Sequence, residues 1–184
     1  MLGNDVVWLA DPHNVGRHAD LLLVRRVLTP RERLLVQVAT DPDRMLWSLW
    51  AAKEAAFKAW SRDQRGLKFS PSLFEVVPNP TLGSATVTLG NQSLPVVWEQ
   101  GPDWVHALAA ENPLIVMVRV EKHQGPHESE AVRDLALLVC AELGYAPGTI
   151  EETPPLYRPG VGDPLVISLS HDGPYSAVAV PYLR

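Results

Sequence analysis

The stretch Trp50-Ala51-Ala52-Lys53-Glu54-Ala55-Ala56-Phe57-Lys58-Ala59 lies inside a longer segment, Asp43 to about Trp60, where Leu46, Trp47, Leu49, Trp50, Phe57 and Trp60 recur at helical spacing among many alanines. That periodicity, in residues that favour helix, predicts a central helix ending in polar residues near Gly66. Upstream, Thr29-Pro30-Arg31-Glu32 supplies an N-cap, a proline at the first helical position and a glutamate at the third. This is a capping-box start, and a short helix is expected to about Ala39. Asn4 to Leu9 reads as a strand bounded by Gly3 and Asp11-Pro12.

Downstream the pattern changes to short β-rich runs: Leu73 to Val77, Ala85 to Leu89, Leu94 to Glu99, Trp104 to Ala110 and Leu114 to Val120. An antiparallel set of strands packed on the helices is the economical reading, which makes the chain α+β. Gln124 to Ser129 reads as a loop, and Glu130 to Leu143 returns to helical spacing and stops at Gly144. Pro154-Pro155 and Pro159-Gly160 read as a loop, and Leu165 to Leu169 and Tyr175 to Val180 as two further strands. Gly101-Pro102-Asp103-Trp104 and Gly173-Pro174-Tyr175 echo each other as a Gly-Pro turn leading into an aromatic and a small-residue strand.

The chain has 184 residues, 46% hydrophobic and 20% charged, ordinary values for a folded protein of one core or two small lobes. A single cysteine, Cys140, excludes an internal disulfide and lies in an apolar run, as a buried thiol does. No stretch approaches about 18 uninterrupted apolar residues and the N-terminus has no leader pattern, so a cytoplasmic protein without a membrane partner is expected. The net charge of −5 is unevenly spread: residues 1–70 carry 11 Lys or Arg against 8 Asp or Glu, and residues 71–184 carry 5 against 13. One basic lobe suits an anionic partner. Without a basic stripe interleaved with aromatics, nucleic acid is not the expected one.

Several chemistries are excluded by pattern. One cysteine and scattered histidines give no zinc spacing, no phosphate-binding glycine loop is present, and Ser170-His171 are strand neighbours that point to opposite faces rather than a nucleophile and its base. What remains is a set of charged groups in unusual places. Asp5 falls on an apolar strand and Glu54 in an alanine- and aromatic-rich helix, so each invites a partner. Glu54 and Lys58 also have the spacing of an ordinary surface pair worth about 0.3 kcal/mol. His171 stands at a strand end with Ser168, Ser170 and Asp172, whereas His13, His18, His106, His123 and His127 read as structural or solvated.

Three segments together resemble one family: Gly3-Asn4-Asp5, Trp50-x-x-Lys53-Glu54-Ala55-x-x-Lys58, and Ile167-Ser168-Leu169-Ser170-His171-Asp172-Gly173. Their combination resembles the signature of the 4′-phosphopantetheinyl transferases. Residues 2 to about 111 resemble the second half of the larger, surfactin-synthetase-activating type, and about 114 to 180 resemble its first half, so the order reads as circularly permuted. The resemblance implies two pseudo-equivalent lobes, 1–111 and 112–184, each a small antiparallel sheet packed on helices, in one monomeric pseudo-dimer.

It also implies magnesium-dependent transfer of 4′-phosphopantetheine from coenzyme A to a serine of an acyl or peptidyl carrier protein. By position, Asp5 and Glu54 would bind the metal and Glu32 would lie near it as a base or water ligand. Lys53 and Lys58 would meet phosphate, with Lys58 serving the departing 3′,5′-ADP. Ser170 and His171 would hold the nucleotide end, and Arg133 the 3′-phosphate. Val7 stands where the larger class has a second acid, and Gly162-Asp163-Pro164 inverts the charge of the family's Gly-Lys/Arg-Pro. Two other readings follow from the same residues: a degenerate relative that binds without transfer, and a small-type synthase, residues 1–111, that oligomerises and carries an appendage.

Overall fold

The computed structural model describes residues 1–64, 66–79, 83–124, 127–152 and 154–182. The first half of the chain builds β1 (Leu2–Trp8), α1 (Leu21–Val27), α2 (Pro30–Val38), α3 (Pro42–Ser61), β2 (Glu75–Asn79), β3 (Ser84–Leu89), β4 (Gln92–Gln100) and β5 (Trp104–Ala110). The five strands form one antiparallel sheet in the order β1-β5-β4-β3-β2, with α3 across it. α3 begins at an Asp41 cap, and α2 at the expected Thr29–Glu32 capping box, with both reciprocal hydrogen bonds present.

The second half builds β6 (Val116–Lys122), α4 (Glu128–Glu142), β7 (Gly148–Glu152), β8 (Pro155–Pro159), β9 (Leu165–Val166), β10 (Ser168–Asp172) and β11 (Tyr175–Pro181). These form two three-stranded sheets, β10-β11-β6 and β7-β8-β9, and α4 packs on β10 and β11. The β7–β8 hairpin replaces the expected loop. Its prolines, Pro155 and Pro159, stand at strand ends, where a missing N–H costs least. Part of the polar segment Gln124 to Ser129 lies outside the described residues. Cys140 is buried, and burial pushes its thiol up to about 11.

The lobes repeat one motif. Antiparallel β4-β5-β1 in the first matches β10-β11-β6 in the second, each central strand entered from one of the two echoing Gly-Pro turns. Asp5 pairs across to Ala107, three residues beyond Trp104; Arg119 pairs across to Val178, three beyond Tyr175. The equivalent positions carry opposite charges: Asp5 meets Lys58 of α3, while Arg119 meets Glu142 of α4 at 2.9 Å.

The lobes join through the even-numbered face of β1. Leu2, Val6 and Trp8 pack against Tyr175, Ala177 and Ala179 of β11 and Val116, Val118 and Val120 of β6. The odd-numbered face turns to α3, and Gly3 sets how closely: a Cβ there would stand 2.1 Å from the Ala55 carbonyl oxygen and 2.6 Å from the Ala59 nitrogen. Only glycine fits, and the fully buried Ala55, Ala56 and Ala59 complete the approach.

Candidate active site

Because side chains alternate along a strand, the residue two after Gly3 also faces α3. That residue is Asp5, and α3 presents Glu54 and Lys58 to it, one helical turn apart. Lys58 Nζ lies 2.7 Å from Asp5 Oδ1 and 3.1 Å from the Asn4 carbonyl oxygen. Glu54 has its carboxyl raised to about 7, first by burial and then by the facing Asp5, with Lys58 opposing. Two carboxylates therefore lie near one ammonium that is bonded to Asp5, and Glu54 ionises only against a cost.

The site opens into a cleft of about 370 Å³ between the lobes, lined by Asp5, Glu54, Trp47, Trp50, His171 and Asp172. The second lobe reaches it through β10. Ser170 Oγ–H donates to Asp5 Oδ1 at 3.0 Å, and His171 Nδ1 stands 2.9 Å from Glu128 Oε2 at the start of α4. Arg133, one turn further along α4, donates to the Ser129 carbonyl at 2.7 Å and lines a separate shallow pocket with Glu128. It shares the end of α4 with the partner of His171 but not the Asp5 cleft.

Asp172 is a cleft residue that the sequence reading passed over. Its Oδ2 accepts the Trp8 N–H at 2.8 Å, and burial raises its carboxyl, the Trp8 hydrogen bond opposing while Asp11, Asp5 and Glu128 add to the rise. The signal was present: Ser168, Ser170 and Asp172 alternate and share one face of β10.

Glu32 and Lys53 stand apart from the cleft. They form a buried pair, Lys53 Nζ to Glu32 Oε2 at 2.6 Å, with no exposed side-chain surface on either. Lys53 spends its other two donors on the Val27 and Pro71 carbonyls, and Glu32 accepts the N–H groups of Thr29 and Val76. In this conformation neither a phosphate nor a water can reach them. The reason is helical phase: Lys53 precedes Glu54 by one residue and so points about 100° away from the face that meets β1. The pair ties α2, α3, β2 and the end of α1 together. Arg44, one of the basic residues of the first half, is only part-buried but is bound to the carbonyls of Gly101 and Pro102.

Among the described residues, no three His, Cys, Asp or Glu side chains stand close enough to form a metal-binding group. Asp5 and Glu54 still fit a magnesium ion as a pair, since that ion keeps several waters and takes substrate oxygens. The Glu54 carboxyl is raised first by burial and then by the facing Asp5, so a cation between the two would favour their ionised forms. Both contacts of the Asp5 carboxylate fall on Oδ1, which leaves Oδ2 for a cation. Among the described residues, no helix is long and apolar enough to cross a membrane.

Residues 1–109 match the family model of the 4′-phosphopantetheinyl transferase superfamily. Over 111 residues the chain is 35% identical to holo-[acyl-carrier-protein] synthases of Yersinia enterocolitica and Yersinia pestis, 60% of this chain and 86% of theirs. Holo-[acyl-carrier-protein] synthase of Helicobacter pylori, solved in complex with coenzyme A, aligns at a TM-score of 0.49 with 22% identity, covering 60% of this chain and 98% of that one. The Neisseria meningitidis enzyme aligns at 0.48 with 23% identity over 59% and 94%. With more than half its length matched by the family model, the chain belongs to the 4′-phosphopantetheinyl transferase superfamily.

Proposed function

We propose that this chain transfers 4′-phosphopantetheine from coenzyme A to a serine of an acyl or peptidyl carrier protein, in the cleft between its lobes. The observation that carries the reading is the Asp5–Glu54–Lys58 constellation, completed by Ser170 and His171 from the other half of the same chain. The relatives named for this reaction align over 111 residues. One chain built as a monomeric pseudo-dimer, with lobes 1–111 and 112–184, then suffices for one site.

In the reaction the carrier's serine oxygen attacks the phosphorus bearing the pantetheine arm, the bond to the bridging oxygen breaks, and 3′,5′-ADP leaves. The serine proton passes to water in the cleft, and Glu54, which lines it, serves the step through the metal it would hold. Lys58 lies where its ammonium stabilises charge gathering on the departing phosphate. Magnesium held by Asp5 and Glu54 would neutralise the pyrophosphate. His171, exposed at the cleft and braced by Glu128, meets the nucleotide end, with Arg133 further out. For the carrier, the exposed Arg25, Arg26 and Arg31 adjoin Leu22, Leu34 and Val38, exposed at 80%, 61% and 82%. A basic rim beside apolar residues suits an acidic partner surface.

A second reading, binding without transfer, draws on the withdrawal of Glu32 and Lys53 into the core and on the exposed Asp163. Intact-mass spectrometry of an apo-carrier protein incubated with the chain, coenzyme A and magnesium decides between them. Gain of one phosphopantetheine on one serine supports transfer. Coenzyme A binding with no mass gain on any carrier supports the second reading.

A further inference from the structure

β1 has one edge paired with β5 and one edge turned to the second lobe. On the free edge the N–H groups of Asn4, Val6 and Trp8 meet no strand. They donate instead to side chains of β10: Asn4 N to Ser168 Oγ at 2.9 Å, Val6 N to Ser170 Oγ at 3.1 Å, and Trp8 N to Asp172 Oδ2 at 2.8 Å. Alternate residues of one strand thus satisfy alternate N–H groups of the other, as buried backbone donors require.

Ser170 does more than fill a rung. A hydroxyl has one proton to give, and three groups surround this one: the Val6 N–H, the Lys58 ammonium at 3.4 Å, and Asp5 Oδ1 at 3.0 Å. The first two are donors, so the proton has a single acceptor, the Asp5 carboxylate. Ser168 caps Asn4 in the same way but has no such bond to Asp5.

We propose that Ser170 is a positioning residue: it fixes the Asp5 carboxylate by occupying Oδ1, so that Oδ2 faces the cleft for the cation, and does not itself hold the nucleotide. The inference rests on the proposed function and replaces the role the family resemblance gave Ser170. It also assigns the second lobe a part in the metal site, although both metal-binding carboxylates belong to the first. Positioning partners of this kind change metal affinity by about 10- to 100-fold.

The test uses the whole chain and Mn²⁺ binding in the presence of coenzyme A, followed by electron paramagnetic resonance, with thermal unfolding measured alongside. Ser170→Ala is expected to weaken Mn²⁺ binding about tenfold or more and to raise the half-saturating magnesium in the transfer assay by the same factor. The KM for coenzyme A at saturating metal stays unchanged. Ser168→Ala, which loses a comparable backbone rung, keeps wild-type metal affinity. Should Ser170→Ala not fold, Ser170→Cys, similar in size but a weak donor, gives the same reading. The proposal is overturned if Ser170→Ala binds Mn²⁺ as the wild type does, if Ser168→Ala weakens it equally, or if the KM for coenzyme A rises with metal affinity intact. A wild-type chain that transfers nothing, or that binds no divalent ion, overturns the proposed function or its metal, and this inference with it. That failure is read in the wild-type arm alone.

Discussion

Glu54→Gln should make the metal-free protein more stable and less active at once. The Glu54 carboxyl sits at about 7 in the folded chain against an ordinary 4.5, mainly because it is buried, so between those values the folded state binds more protons than the unfolded one. Stability is then greatest below about 4.5 and falls as pH rises through 7, where the folded carboxyl is made to ionise. At about 1.4 kcal/mol per pH unit the full cost is about 3.5 kcal/mol, and partial exposure reduces it to about 1–3 kcal/mol. Glutamine has no charge to lose, and a chain of this size gains about 2–4 °C per kcal/mol. Thermal unfolding without divalent ions should show Glu54→Gln about 2–12 °C above wild type at pH 8 and nearly level with it at pH 4.5. Magnesium with coenzyme A should narrow the gap at pH 8 by stabilising only the wild type. Transfer by the variant should fall on the order of a hundredfold. A variant with no stability gain at pH 8 would refute the picture of two carboxylates facing one ammonium.

Lys53→Met leaves Glu32 buried without its partner and should cost about 3–5 kcal/mol in urea unfolding, with the KM for coenzyme A unchanged in the folded fraction. A raised KM at wild-type stability would return Lys53 to the phosphate. Reversing Arg26 and Arg31 to glutamate should slow transfer to an acidic carrier at low salt and flatten its salt dependence, while the KM for coenzyme A holds. Unchanged kinetics at low ionic strength would remove the α1–α2 face as the docking surface.

The helix α3 was legible because alanine and aromatic spacing signals it directly, and α2 because Thr29 and Glu32 form a local cap. The run Leu21-Leu22-Leu23-Val24 hid α1, since consecutive apolar residues carry no helical period and only the Asp20 cap marks its start. The rotational phase of α3 was not legible. Lys53, Glu54 and Lys58 are equally charged on paper, and it is the missing Cβ of Gly3 against Ala55 and Ala59 that turns Glu54 and Lys58 toward β1 and sends Lys53 into the core. Asp172 and the second bond of Ser170 depend on which face of β10 meets β1, a tertiary fact that alternation alone leaves undecided.

The most direct test of a single site composed within one chain is a mixing experiment on carrier modification. Asp5→Ala damages the first-lobe side of the cleft and Ser170→Ala/His171→Ala the second-lobe side. If each chain builds its own site, the two variants remain as inactive together as apart, while wild type at the same concentration converts the apo-carrier to the phosphopantetheinylated form. Recovery of transfer well above the sum of the separate variants would contradict the account, because an intact cleft would then have formed between the first lobe of one chain and the second lobe of another.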